Sequence, residues 1–378
     1  AAQLRDLLSP MKTKIFIDNQ KNFFKISSNN INNFNFKKFK ILCSNNRFYK
    51  FNDLKINKDI IFVNKEKVDF STCQKIIFED FFTKEVLEKE INFYNSEIII
   101  KNNNYDYLNY FIENKKELIL KLDEVTISKN IYIPKNFIVK IKGGQKINII
   151  NNSYIISESP WEVGNSMKKT FIGGKKNNFG GGLFISGKNT KSFFDNCVFY
   201  NLNGTKDKKN KTNILNDRTI YGAINFFETD ITINNSEFFS IKAEDALNII
   251  SSNFQIKNTS FKDLLFDGID VDFGEGSIVK SNFSSIGNDA IDFSGSSASI
   301  KNISFSDIGD KIISTGEKSI INVIDIKGRN AKVGLASKDG SRIYADKVSF
   351  VNVKYPFAAY QKKKEYKYGQ IFLNKYFS

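Results

Sequence analysis

"NDAIDFSGS", residues 288–296, sets Asp289 and Asp292 on either side of a small apolar pair, Ala290 and Ile291. The same cadence appears in "EDALNII" from Glu244, in "FDGIDVDFGEG" from Phe266 and, more loosely, in "GDKIISTGEKS" from Gly309. Asp245, Asp267, Asp289 and Asp310 lie 22, 22 and 21 residues apart. In the same phase an Ile precedes a Phe by five residues at Ile233/Phe238, Ile256/Phe261, Ile278/Phe283 and Ile300/Phe305, weakening to Ile321/Ile326 and Ile343/Val348. A fixed period of this length marks a solenoid of stacked units. The repeated Leu signature of leucine-rich repeats is missing. Each unit holds two or three short alternating segments split by Gly, Asn, Asp and Ser, which leaves no room for a helix. The chain therefore reads as all-β, a right-handed parallel β-helix of about 22 residues per coil, with coils stacked at the strand spacing of roughly 4.8 Å.

Counting each ladder Asp as position zero, position two holds Ile224, Leu247, Ile269, Ile291 and Ile312, and position four holds Phe226, Ile249, Val271, Phe293 and Ser314. These columns should point inward. Position one (Ala223, Ala246, Gly268, Ala290, Lys311) and position three (Asn225, Asn248, Asp270, Asp292, Ile313) should face out, with the small column as a shallow floor. Asp272 and Ser294 stand at position five. "GGLFISG" and "SFFDNCVF" read as strands of an earlier coil, followed by a lysine-rich insertion at 201–218. Residues 1–10 differ in style from the rest and read as an expression-vector remnant. Residues 11–117 read as a mixed N-terminal capping region with a short helix in "TKEVLEKEINFY", 118–360 as the β-helix, and 361–378 as a C-terminal cap and tail.

Composition narrows the chemistry. The 378 residues contain no histidine, which excludes Ser-His-Asp and Cys-His nucleophiles, His-ligated metals and an imidazole base. Cys43, Cys73 and Cys197 have no CxxC spacing and read as reduced residues, not as a zinc site or disulfide framework. Haem, nucleotide and zinc are not expected. No apolar run reaches the length of a membrane span, and no export signal is visible. The net charge is +15, yet Thr219–Asp310 holds 14 acids against 5 lysines, so an acidic island coincides with the repeats. The basic remainder reads as codon bias or as attraction to an anionic polysaccharide. Nucleic acid is not the expected partner, because no stacking module or reading helix is present.

The periodic strands and outward Asp/Asn ladders resemble the pectate-lyase-like β-helix superfamily over roughly residues 120–365. The run "DAIDFSGS … GDKIISTGEKS … GLASKDGS … AAYQKKKEY" is similar to uncharacterised bacterial β-helix proteins, some fused to CotH-type modules. The resemblance implies an extracellular or cell-surface protein. It implies a carbohydrate-active role, binding or modifying an acidic polysaccharide in the manner of a lyase or epimerase. A non-catalytic surface, adhesion or structural β-helix is the alternative.

Asp270 and Asp292 are in register, roughly 5 Å apart, and repel by about 1 kcal/mol in water and more at lower dielectric. With Asp272 they form a carboxylate cluster suited to a hard cation such as Ca²⁺, which needs no His. In pectate-lyase-like enzymes such an ion neutralises a uronate and a Lys or Arg removes the acidified proton. Lys311, Lys338 and Arg218 are the candidate catalytic bases or clamps, and Asn225, Asn248 and Asp292 the candidate substrate-binding residues. Glycoside hydrolysis by the paired aspartates is a further option, and a solvated polar ladder the plainest one. Trp161 is a candidate sugar-stacking ring.

Overall fold

A computed structural model describes residues 106–165, 167–204 and 222–377 throughout, and the backbone of eight strands before residue 106. The chain divides into two compact units, Ala1–Ile99 and Ile100–Ser378. In the first unit the eight strands form two four-stranded antiparallel sheets. The helix expected in "TKEVLEKEINFY" is instead a strand, Val86–Glu90, paired antiparallel with Cys73–Asp80. An isolated helix of that length is marginal in water, and sheet pairing takes its place. Strand Phe34–Cys43 pairs with Cys73–Asp80 in a register that makes Cys43 and Cys73 cross-strand neighbours.

The second unit is the expected parallel β-helix. From Glu117 onward each short strand pairs in parallel with the third strand after it, so the coil has three faces. The first face starts at Glu117–Leu120, the second at Glu124–Ile127 and the third at Ile131–Ile133. Later coils are nearly continuous: Ser297–Gly316, Ile320–Lys338 and Arg342–Tyr360 each run through all three faces. Gln370–Leu373 and Tyr376–Phe377 extend the first and second faces by one more rung. At the other end a 3₁₀ turn, Asp106–Asn109, and the antiparallel strand Phe111–Asn114 close the solenoid, with Tyr107 and Phe111 buried in the core.

The sequence period builds this core directly. Ile233, Ile256, Ile278 and Ile300 pair in one inward column. Phe199, Phe238, Phe261, Phe283 and Phe305 stack as a ladder of rings, with centroids 4.6, 4.6, 4.7 and 5.2 Å apart. Each buried ring contributes about 1.5–3 kcal/mol of transfer free energy, and offset stacking adds a little. The ladder stops at Gly328, opposite Phe305, where an added Cβ would meet Ile312 at 2.4 Å and the Phe350 ring at 2.9 Å. The weaker Ile321/Ile326 pair sits two residues earlier in register, opposite Ala298 and Ile303, and keeps its inward parity.

The corner between the first two faces takes left-handed backbone in five successive coils, at Asn235, Asn258, Lys280, Asn302 and Asp325, with φ between 49° and 56°. Asn enters that region at the least cost after Gly. The Asn258 amide also donates to Asn235 Oδ1 at 2.7 Å, and that of Asn235 to Asp195 Oδ1 at 2.7 Å. Part of the asparagine richness thus has a corner-forming use.

Candidate functional site: an aspartate face

The third face carries the polar column. Its register runs Asn225, Asn248, Asp270, Asp292, Ser314, Ala336 and Ala358, one residue per coil. Up to Asp292 this matches the outward column read from the sequence. Beyond it the frame assigned from Asp310 is off by one. Ile313, not Ile312, pairs with Ile291, and Ser314, not Ile313, follows Asp292. The backbone N–H of Asp289 donates to Asp267 Oδ1 at 2.9 Å, and that of Lys311 donates to Asp289 Oδ1 at 3.0 Å. The zero column is therefore Asp245, Asp267, Asp289 and Lys311. Asp310 is the residue before it, because pairing keeps the 22-residue step.

The expected shallow floor is also corrected. Ala246 and Ala290 belong to the hydrophobic core, and an added Cβ on Gly268 would meet the carbonyl of Ala290 at 2.5 Å and the Phe283 ring at 3.3 Å. The N–H groups of both Gly268 and Ile269 donate to the next coil, to Asp289 and Ala290. Two successive donors on one side mean a local break in the pleat, and it turns position one inward.

Carboxylates crowd the face with little compensation. Asn248 is buried, and its amide donates to Asp245 Oδ2 at 3.2 Å and Asp270 Oδ2 at 3.3 Å. Burial, then the neighbouring charges of Asp245, Asp272 and Asp292, hold the Asp270 carboxyl well above the usual carboxylate range. Asp245 is raised likewise, by burial and then by Asp267 and Glu244. Burial pushes Asp267 up to about 6 despite hydrogen bonds from Asn288 and Asp289. Asp272 is raised by burial and then by Glu317 and Asp292. Asp270 thus holds its proton more tightly than an ordinary carboxylate, and it stands on an outer face.

Asp292 meets a different set of neighbours. Lys338 reaches it across two coils, Nζ to Oδ1 at 3.6 Å, while that Oδ1 is buried without a hydrogen bond. Lys338 is only 8% exposed, and its stem lies over Gly316, 3.7 Å from where a Cβ would be. Ser314, the rung after Asp292, is fully buried and its Oγ also has no partner. The Lys338–Asp292 contact is thus too long for a hydrogen bond, and both Asp292 Oδ1 and Ser314 Oγ are left unsatisfied.

Of the predicted site residues, Asp270, Asp292 and Lys338 come together, with Asp272 on the same strand face as Asp270. Asn225 is withdrawn from the surface. Its Oδ1 accepts from the Gly222 N–H at 3.0 Å, and its amide donates to the carbonyls of Gly222 and Leu183 at 2.8 and 3.2 Å. Lys311 is no free base. Its ammonium contacts Asp289 Oδ1 at 3.2 Å and also Asp310. Burial alone would lower its pKa, but the two carboxylates raise it above the usual lysine value, so it stays charged. Trp161 is wholly buried, edge-on to Phe111, and is core. Arg218 lies outside the described residues. Among the described residues no group of three His, Cys, Asp or Glu side chains is placed to hold a metal ion. The sequence reading missed Ser314 and the raised Asp245 and Asp267. The 22-residue step was the signal for Ser314.

No family model and no curated protein matches the chain. Among solved structures it is similar to a periplasmic alginate epimerase, AlgG, at 9% identity over 71% of this chain and 80% of that one, with a TM-score of 0.35. It is also similar to the catalytic unit of an alpha-1,3-glucanase from Streptomyces thermodiastaticus, at 6% identity over 69% of this chain and 61% of that one, with a TM-score of 0.22. Among the described residues no helix is long and apolar enough to cross a membrane.

Proposed function

We propose that the protein is a carbohydrate-active β-helix that binds an acidic polysaccharide along its third face and acts on it by proton transfer. One observation carries this reading: the outward Asp270 carboxyl, raised by burial and by its acidic neighbours, stands one rung from Asp292 and the buried Lys338. A neutral carboxyl donates to an uronate oxygen or a glycosidic oxygen, which an ionised one cannot do. In hydrolysis that proton goes to the leaving oxygen while Asp292 takes one from the attacking water; in elimination Asp292 takes the uronate's C5 proton as the leaving oxygen takes that of Asp270. Asp270 is the proton donor, Asp292 the second carboxylate, and Lys338 the cation that pairs with a uronate when it leaves Asp292. This replaces the lyase base expected at Lys311, whose proton is held by two carboxylates.

The test is incubation with polygalacturonate, alginate and glycosaminoglycans, following new reducing ends and unsaturated products by ultraviolet absorbance. Asp270→Asn should keep binding and lose cleavage. Binding without cleavage in the wild-type chain would leave the non-catalytic adhesion reading. No binding to any of these polymers would remove the proposal.

A further inference from the structure

The second face carries a trough unlike the aspartate face in every chemical respect. Two outward columns form its rails: Asn282, Ser304, Lys327 and Ser349 on one side, and Ser284, Ser306, Arg329 and Val351 on the other. They border a cavity of about 460 Å³. Its floor is the inward row Phe283, Phe305 and Gly328. Lys327 and Arg329 flank Gly328 in one rung, so two cations stand roughly 7 Å apart on the same strand face. Among the described residues neither has an acidic partner, whereas Lys140, Lys146, Lys311 and Lys363 all do.

The rails are short elsewhere. Ser284, Ser304, Ser306 and Ser349 leave room for a ligand, and none of these hydroxyls is used in a hydrogen bond among the described residues. The spacing of rungs, roughly 4.8 Å, is close to the length of one pyranose residue, so a chain laid across the coils meets fresh serines at each step.

We propose that this trough is a second polysaccharide site, which takes an anionic sugar unit with its carboxylate or sulfate between Lys327 and Arg329 and its hydroxyls on the serine rails. Arg329 supplies paired donors to a planar carboxylate, and Lys327 a point charge. Hydroxyl contacts distinguish such a ligand from a bare polyanion. The site stands on residues separate from Asp270, Asp292 and Lys338, so it holds whether or not the third face is catalytic.

The experiment uses the full chain and measures binding of polygalacturonate and of heparin at two salt concentrations, with single-stranded DNA as a polyanion lacking pyranose hydroxyls. Lys327→Gln with Arg329→Gln should weaken both glycans at least tenfold and flatten the salt dependence. A control pair removing the same charge from exposed lysines elsewhere, Lys257→Gln with Lys280→Gln, should change affinity less than threefold. Ser304→Val with Ser306→Val should weaken the glycans and leave DNA unchanged. Loss on only one glycan assigns the anion as carboxylate or sulfate. Equal losses in the trough and control pairs, or equal losses for glycan and DNA in the serine variant, would overturn the site. Cleavage lost in Asp270→Asn tests the third-face reading alone, and binding lost in the Lys327 and Arg329 pair tests the trough alone, so the failure of one is distinct from that of the other.

Discussion

Replacing Asp267 by Asn should stabilise the protein at neutral pH and do little in acid. The Asp267 carboxyl is raised from 3.8 to about 6 in the folded chain, chiefly by burial. A carboxyl whose folded pKa is raised binds its proton more tightly in the native state. Its contribution is fully present below the unfolded pKa and is lost as pH rises through the folded one. Each pH unit between 3.8 and about 6 costs ~1.4 kcal/mol, so by neutral pH the ionised group has cost at most about 3 kcal/mol. Asn mimics the protonated form, and its Oδ1 can still accept from Asn288 Nδ2 and the Asp289 N–H, now at 2.6 and 2.9 Å. Urea unfolding followed by circular dichroism at about pH 4 and about pH 7.5 gives the difference between wild type and Asp267→Asn. Groups that do not feel Asp267 cancel, and relief of Asp245 and Asp270, both raised by its charge, adds to the gain in the same direction. The gain should be about 1–3 kcal/mol at the higher pH and near zero at the lower. An equal change at both pH values would show that packing or a lost hydrogen bond, not the ionisation of a buried carboxyl, governs the position.

Three further outcomes follow from the same face and core. Lys311→Met should destabilise by about 3 kcal/mol at neutral pH, because it leaves buried Asp289 without its counter-charge. Asp289→Asn in the same chain should recover most of that loss. Phe261→Ala, in the middle of the ring ladder, should cost about 3–5 kcal/mol in urea unfolding. Gly328→Ala should destabilise by roughly 1–3 kcal/mol through overpacking against Ile312 and Phe350, and a neutral or stabilising result would mean the neighbouring rings shift freely.

The β-helix was legible because its signal is redundant. Ile256, Ile278 and Ile300, and Phe261, Phe283 and Phe305, repeat one spacing, and parallel pairing converts that spacing into contact. Asp270 and Asp292 were found for the same reason: mid-strand parity alone assigns an outward direction. What failed was local. Gly268 and Ala290 lie where the pleat breaks, and alternation cannot foresee a break. Asp310 looked like the next ladder acid, but an Asp one residue out of step is indistinguishable by type from one in step. Lys338 was among the residues named, but its reach to Asp292 across two coils comes from side-chain length, which no column count contains. In residues 83–94 a charged, helix-like composition concealed a strand held by its neighbour.

The step from Ile308 to Lys311 has a wider meaning. Ile308 pairs with Ala331, 23 residues on, yet Lys311 pairs with Val333, only 22 on. One residue is absorbed at the corner, and every later rung of the third face is in phase again. A genetic message shifted by one unit stays shifted to its end. This chain resets at each bend, because every strand takes its alignment from the coil beneath and not from its distance to the start. Insertions and deletions at the corners are therefore local edits, and a face can gain or lose a functional side chain without rewriting the coils that follow.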